Sequence, residues 1–584
     1  MDRLAKYEYR PATPAAFAAL SMGLLACLLG FMVSFVVVPP TAWRTDAAVA
    51  VTATELVSTI KTQGLVAAIS AEDLFRETVP RLIGIALAAL ISGILAFRLR
   101  RRISPIVDGR QHHEGLQLLR GEAAIASANQ ALAAQAQPLD RTIQWLPSVS
   151  IPRTREVQNL LILGAIGSGK TRLILYLLEQ LIGRLLQNSA EDYGLFVHDT
   201  TGEILEGFPM EDGQFAVINP DRPGSFAWAM GRDFRDDSDC ESASEQIVGQ
   251  TSDAFWGKGA TTLFAGCMIV CKAKHGTDWG LPRLYMACLS DPVQMKKEFE
   301  QYYRPAAGLI EFDASGELSK TTISLLLTFR GSVLRVLRPL ARAWVKVPRE
   351  RQFSFGDWVT GANPQQPKVV IVQRSGRHPE MSAAWIGMAV DFITAAVGDI
   401  RLSVSQTRIR TFVLDEAPAL GRLRRWPDLL DTARNKGVST IAAIQDVAQF
   451  KRIYGDAAAS IFQRFLTKII CAQTQGPETT ALADDMIGKR WIMEDEPTVA
   501  VERGPTGRTE RSSITKRPRE VPIVRPEHLA YRLGVADRKI KALVVGLGDV
   551  LEVEWPMRIW GLRRRVLTAG LQRFLGRGYR LNAL

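Results

Sequence analysis

At 584 residues the chain has room for several domains, and 47% hydrophobic with 23% charged residues gives a mean hydropathy of +0.02. That is high for a soluble protein, and the excess is concentrated at the N-terminus. A net charge of +12 and a pI near 9.5 suit an anionic partner, lipid or nucleic acid, without choosing between them. The six cysteines carry little information, and no metal centre is expected of Cys267 and Cys271, which lie one helical turn apart. All are read as reduced, mostly buried thiols.

From Pro11 to Trp43 there is no charge, and Ala15 to Val38 is almost wholly apolar. About 20 such residues suffice to cross a bilayer. A second apolar run, Leu82 to Phe97, has Arg81 and Arg98 at its ends, where they can snorkel. Residues 1–103 are therefore predicted to form a membrane anchor, with transmembrane helices at about 15–38 and 80–97. Arg3, Lys6 and Arg10 precede the first span, and Arg98, Arg100, Arg101 and Arg102 follow the second. The positive-inside rule puts both ends in the cytoplasm and the intervening loop outside.

Residues 103–150 read as a connector, alanine- and glutamine-rich and helical over Leu116 to Gln137. Leu160–Leu163 then reads as a short buried strand and Thr171–Leu178 as a helix. Between them Gly164, Ala165, Ile166, Gly167, Ser168, Gly169, Lys170 and Thr171 fit G-x-x-x-x-G-K-[ST]. Glycines let the backbone curl so that successive N–H groups point at phosphate oxygens. Lys170 adds a charge for the terminal phosphates, and Thr171 offers a hydroxyl to Mg²⁺. The expected cofactors are ATP and Mg²⁺, on the side of the membrane where ATP is abundant.

Tyr193–Asp199 reads as a second strand ending in a carboxylate, and Phe215–Ile218 as another. From about 221 to 355 the strand signal mostly vanishes, while Ala260–Lys272 and Lys320–Trp344 read as helices, so a helical insertion is inferred. The strands Lys368–Gln373, Thr411–Leu414, Thr440–Ile444 and Thr467–Cys471, with a helix over Ala383–Val397, resume an alternation that predicts a parallel, doubly covered sheet. The predicted boundaries are 104–225 and 356–557 for two parts of a nucleotide-binding domain, 226–355 for the insertion, and 558–584 for a basic end segment.

Asp415 and Glu416 follow an apolar strand directly. In a P-loop ATPase the first carboxylate holds Mg²⁺ through water and the second orients or deprotonates the attacking water. Gln445, ending the strand Thr440–Ile444, is a candidate γ-phosphate sensor. Arg434, on a helix read over Trp426 to Asn435, could reach a neighbouring subunit's nucleotide; a cation complementing a helix end is the plainer alternative.

Two N-terminal spans, the P-loop, Val197-His198-Asp199-Thr200-Thr201-Gly202-Glu203 and Leu414-Asp415-Glu416-Ala417-Pro418-Ala419-Leu420-Gly421 occur in this order. Ala433-Arg434-Asn435-Lys436-Gly437-Val438, Ala443-Ile444-Gln445-Asp446-Val447-Ala448-Gln449-Phe450 and Ile453-Tyr454-Gly455 follow. Together with Asn219-Pro220, Trp228 and Phe255-Trp256, this order resembles the type IV coupling proteins of bacterial conjugation, in the TraD/TrwB branch, with FtsK/HerA translocases as wider relatives. The resemblance implies a RecA-like P-loop ATPase domain with a mostly parallel sheet, an all-α insertion domain and two N-terminal transmembrane helices. It also implies a homohexamer at the bacterial inner membrane, bringing relaxase-bound single-stranded DNA to a type IV secretion channel. Lys170 and Thr171 would sit on nucleotide and Mg²⁺, Asp415 and Glu416 would form the Walker B pair, Arg434 would be the finger acting in trans and Gln445 the sensor. A coupling protein for protein effectors, or an FtsK-like translocase on double-stranded DNA, is the alternative.

Three basic segments stay open. Arg335, Arg338, Arg342 and Lys346 would stripe one helical face, contacting DNA phosphates or simply solvent, with Pro339 interrupting the pattern. Arg503, Arg508, Arg511, Lys516, Arg517 and Arg519 read as a flexible loop. Leu567, Leu571, Phe574 and Leu575 lie at helical spacing among arginines, which suits lipid, DNA or a partner alike.

Overall fold

The computed structural model describes residues 111–135, 143–187, 192–248, 254–405, 407–504 and 507–561, with Ser58, Lys61, Thr62 and Leu87 besides. The expected spans at about 15–38 and 80–97, and the end segment beyond Gly561, lie outside the continuously described residues. The chain divides into two units, Met1–Gly115 with Arg490–Val521, and Leu116–Lys489 with Pro522–Leu584.

The larger unit is organised by an 11-stranded sheet. In chain order its strands are β1 (Leu118–Arg120), β2 (Leu160–Leu163), β3 (Tyr193–Asp199), β4 (Phe215–Ile218), β5 (Val369–Gln373) and β6 (Ile409–Leu414). β7 (Val438–Ile444), β8 (Thr467–Ile470), β9 (Gly534–Ala536), β10 (Lys539–Leu547) and β11 (Asp549–Pro556) complete it. The spatial order is β1-β11-β10-β8-β2-β7-β6-β3-β5-β4, with β9 on β10. From β8 through β4 every pairing is parallel, whereas β10 runs antiparallel to β8 and to β11. The parallel strands are mostly buried because helices cover both faces, which is why β2, Val369–Val372 and Phe412–Leu414 read as apolar runs. Period-2 alternation sends Phe196, Val370 and Val372 into one core and Leu195, Val197 and Ile371 into the other.

The helices introduced here are α1 (Gly121–Ala133), α2 (Lys170–Gln187), α3 (Asp237–Val248), α4 (Ala254–His275), α5 (Leu281–Cys288), α6 (Pro292–Tyr302), α7 (Lys320–Trp344) and α8 (Pro379–Gly398). α3 to α7 form the helical insertion between β4 and β5. Its root is closed by a short parallel pairing of Ala227 with Gln352 and Trp228 with Phe353, strand structure that the apolar pattern of 221–355 had not revealed. Asp233, buried there, accepts hydrogen bonds from the Trp228 indole (2.7 Å), the Phe355 amide (2.9 Å), the Gly356 amide (3.1 Å) and the Ser354 hydroxyl. One carboxylate thus ties the outgoing chain to the returning one. Among the described residues, α8 alone is long and apolar enough to cross a membrane; Trp385, Ile386, Met388 and Ile393 place it instead in the protein core.

Several expectations are corrected. The segment read as a connector carries β1 and α1, and β1 joins the main sheet beside β11. Leu118 pairs with Val550 in that join. Such an edge pairing, over 400 residues apart in sequence, leaves no local periodicity to detect. The helix expected over Trp426–Asn435 ends at Thr432 and tightens to a 3-10 turn over Ala433–Lys436 before Gly437, whose φ of 76° no other residue adopts cheaply. The basic stretch 503–519, expected as a flexible loop, is strand where it is described, at 503–504 and 507–519. In the smaller unit Gln111–Glu114 pairs antiparallel with Lys489–Gly504, which neighbours Gly507–Pro522. Thr498, Val499, Val501, Ile514 and Thr515 supply β-branched residues on either side of a Gly504-Pro505-Thr506-Gly507 turn signal, which the many charges had masked. The five described cysteines, Cys240, Cys267, Cys271, Cys288 and Cys471, are free and buried as expected.

Replacing Asp233 by alanine would leave four buried donors without an acceptor. We expect Asp233→Ala to lower stability by about 2–4 kcal/mol, read as a shift in the urea-unfolding midpoint followed by tryptophan fluorescence.

Candidate nucleotide-binding site

The parallel strands end together, so the residues just past β2, β3, β5, β6 and β7 line one edge of the sheet. β7 lies between β2, which enters the P-loop, and β6, which ends at Asp415. Gln445 therefore stands between the phosphate loop and the acid pair.

The loop is held from below. The Gly164 amide donates to the Ile444 carbonyl (3.2 Å) and the Ala165 amide to Ala472 (2.8 Å). Gly167 and Gly169 have φ of 74° and 97°, a region that costs any side chain energy. Gly169 is constrained twice, since a Cβ there would sit 3.0 Å from Val535 and 3.1 Å from Ile540. Gly164 has no space either: a Cβ would lie 2.4 Å from Ser168 Oγ and 2.8 Å from Cys471 Cβ. Ser168 Oγ is buried with no hydrogen-bond partner, and Ile166 is exposed at the tip.

Lys170 starts α2 and is buried, its ammonium donating to the carbonyls of Gly164 (2.6 Å) and Ala165 (3.0 Å). Burial lowers its pKa, and the opposing pull of Glu416, Cys471 and Asp415 limits the drop. Asp415 is pushed up to about 6, first by burial and then by the neighbouring charge of Asp199, although Lys170 and a hydrogen bond from Thr171 work the other way. Burial pushes Glu416 up to about 7, against a hydrogen bond from the Gln445 amide (3.4 Å) and the charge of Lys170. Asp199 is fully buried and also raised by burial, while the Gly202 amide (2.9 Å), the Leu205 amide (3.0 Å) and the Gln373 side chain (3.0 Å) donate to it. Asp415 and Glu416 thus press two carboxyl groups on one ammonium, and Asp199 adds its charge beside Asp415. Among the described residues no group of three or more His, Cys, Asp or Glu side chains could hold a metal alone. A divalent cation that takes Thr171 and Asp415 on one side and phosphate oxygens on the other fits this edge, because it would relieve the excess charge.

The structure brings Lys170, Thr171, Asp415, Glu416 and Gln445 together and leaves Arg434 apart. Arg434 is exposed in the turn before β7, whereas Gln445 follows the far end of that strand. Seven strand residues separate them by roughly 23 Å, so Arg434 stands well away from the end of β7 beside its own chain's P-loop. The sequence reading assigned no role to Asp199, to Gln373 or to the Arg172–Glu203 ion pair (2.6 Å) that ties α2 to the turn after β3. A polar residue closing an apolar strand singled out Asp415 and Gln445, and the same signal marks Asp199 and Gln373. His198, buried with both ring nitrogens unpartnered, is held neutral by burial and by Arg374, its pKa falling to about 3.

The raised carboxyl pKa values carry a sign. Asp415 and Glu416 sit above their ordinary 3.8 and 4.5, so folding favours their protonated forms. Their contribution is fully present below about pH 4 and is lost as pH rises through 6 and 7. The ligand-free protein should therefore lose about 2 kcal/mol between pH 5 and pH 8 through Glu416. In thermal melts, Glu416→Gln should flatten that loss.

Comparison with known proteins agrees with this architecture. The chain is 25% identical to the coupling protein TraD of Escherichia coli (strain K12) over 334 residues, 54% of this chain. The aligned part spans only 42% of TraD. The fold matches the unbound bacterial conjugative coupling protein TrwBdeltaN70 at a TM-score of 0.60 and 16% identity, covering 78% of this chain and 95% of that one. It also matches TrwB in complex with ADP and Mg²⁺ at a TM-score of 0.58 and 16% identity, covering 78% and 96%. The family model for the type IV secretion-system coupling protein DNA-binding domain matches residues 144–538, a span that holds the P-loop, the helical insertion and Asp415 to Gln445. With more than half of its length so matched, the chain belongs to the type IV secretion-system coupling proteins.

Proposed function

We propose that this chain is an inner-membrane, ring-forming ATPase that couples ATP hydrolysis to the export of single-stranded, relaxase-bound DNA through a type IV secretion channel. The observation that carries it is the convergence of Lys170, Thr171, Asp415, Glu416 and Gln445 on one strand-end edge, in a member of the coupling-protein family. The two N-terminal apolar runs supply the anchor in this reading, and the relatives' nucleotide complexes support ATP with Mg²⁺ as the cofactor.

Bound ATP with Mg²⁺ supplies the phosphoryl bond whose hydrolysis drives transport. Thr171 and Asp415 hold the cation, and Lys170 neutralises phosphate charge from beneath the loop. Glu416, with a pKa near 7, is poised to take a proton from water at its carboxylate. Gln445, whose amide already orients Glu416, senses the terminal phosphate. Arg434, remote from its own P-loop, completes the site of the next subunit in a hexamer, where an arginine finger contributes roughly 10³–10⁵ in rate.

The insertion offers the DNA contact. Arg335, Arg338 and Arg342 are exposed on α7, Lys346 is exposed in the turn that follows it, and Pro339 does not end the helix. Arg335 pairs with Glu380 at 3.1 Å, but both side chains are 72% exposed, so the pairing is weak and exchangeable.

Glu416→Gln should keep nucleotide affinity and abolish steady-state turnover, while Lys170→Ala loses both. Wild-type turnover should rise on adding single-stranded DNA; stimulation by a protein cargo alone would overturn the DNA reading. Arg434→Ala should be inactive by itself, yet regain part of its activity when mixed with Lys170→Ala subunits, as measured by phosphate release. Replacing Arg338, Arg342 and Lys346 by alanine should weaken DNA binding and reduce its log–log salt slope by about 0.7 per residue removed, measured by fluorescence anisotropy.

A further inference from the structure

Four strand ends lie side by side across β6, β3, β5 and β4. Leu414 is in register with His198 and Asp199 with Gln373, while Val372 faces Ile218. The residues that close the row are therefore Asp415, Asp199, Gln373 and Asn219. Gln373 is buried and spans the gap between its two neighbours: its amide nitrogen donates to Asp199 Oδ2 (3.0 Å), and its carbonyl oxygen accepts from Asn219 Nδ2 (2.9 Å). Each end of that bridge organises a turn. Asp199 gathers the amides of Gly202 and Leu205, shaping the turn that presents Glu203 to Arg172 on the P-loop helix. Asn219 accepts from the Asp221 amide (2.9 Å), and its own amide donates to Ser225 Oγ (2.9 Å), shaping the turn where the chain leaves the sheet for the helical insertion.

The row continues through the backbone of Gln373 to Ser375, which is also buried. Its hydroxyl donates to Asp221 in the same exit turn, and its amide donates to Ser382 Oγ (2.8 Å) in α8. α8 is the core helix that packs on α3 and α7 of the insertion. We infer that Gln373 is a positioning residue that links the acid edge at Asp199 and Asp415 to the root of the helical insertion, so that a displacement of either turn is felt by the other. A glutamine suits this task because it offers one donor and one acceptor at a fixed separation, matching a carboxylate on one side and a carboxamide donor on the other. A leucine of similar volume would fill the space and sever both bonds.

The link itself depends only on the hydrogen-bonded row; its use in transport rests on the ATPase reading above. The decisive experiment is a double-mutant cycle in the ligand-free chain, read by amide hydrogen exchange over residues 200–206. Asn219 touches neither Asp199 nor that turn, yet Asn219→Ala should speed its exchange about fivefold, the effect of losing one hydrogen bond's support. Gln373→Leu should speed it similarly, and adding Asn219→Ala to that background should change nothing further. Asn219→Asp keeps the acceptor for Asp221 while removing the donor to Gln373, and should reproduce the effect of Asn219→Ala. Unchanged exchange over 200–206 in Asn219→Ala, or an equal further increase in the Gln373→Leu background, would overturn the link. In a second arm, ATP with Mg²⁺ should alter exchange over 219–226 in the wild type and not in Gln373→Leu. An equal response in the variant would also overturn it. A wild-type chain that binds no nucleotide would instead remove the ATPase reading and leave the ligand-free cycle to decide the link.

Discussion

The cleft is governed by a charge imbalance. Lys170 is a buried ammonium anchored to its own loop's carbonyls, with Asp415 and Glu416 against it and Asp199 beside Asp415. Isolated buried carboxylates are costly, and burial accordingly raises the pKa of each of the three. That is an unfavourable arrangement for stability alone. A divalent cation and a phosphate chain entering together would relieve it, the cation offsetting the acids and the phosphates offsetting Lys170.

The same imbalance explains why the sheet order matters. With β7 inserted between β2 and β6, the loop and the acid pair stand one strand apart, and Gln445 follows the strand between them, its backbone amide donating to Glu416. The order also places Arg434 at the opposite edge of the sheet from the P-loop. That separation is what the proposed division of labour between neighbouring chains rests on.

The insertion is coupled to this edge at its root. Asp233 fastens the departing and returning segments to each other, and the Asp199–Gln373–Asn219 row runs from the acids to the turn where the insertion begins. A helical domain carried on such a short, fully hydrogen-bonded root can shift only if the hydrogen bonds there rearrange together. The constraint therefore applies in both directions, to whatever moves the insertion and to whatever binds at the edge.

The amino-acid sequence by itself determined the local pieces of the site. The P-loop needs glycines at fixed spacing because its backbone must curl, and apolar runs closed by Asp415 or Gln445 mark buried parallel strands whose ends face a cleft. Those signals are local, so they survive in one dimension. The reading failed where the decisive contact was distant, as in the pairing of Leu118 with Val550 at the sheet edge, or where charge hid a strand, as at 503–519. Only the tertiary structure decided that Asp199 and Gln373 share an edge with Asp415, that Gly169 is pressed by Val535 and Ile540, and that Arg434 lies roughly 23 Å from Gln445 along β7. Each depends on strand order and register, which are set by packing between segments hundreds of residues apart and leave no periodicity within any one of them.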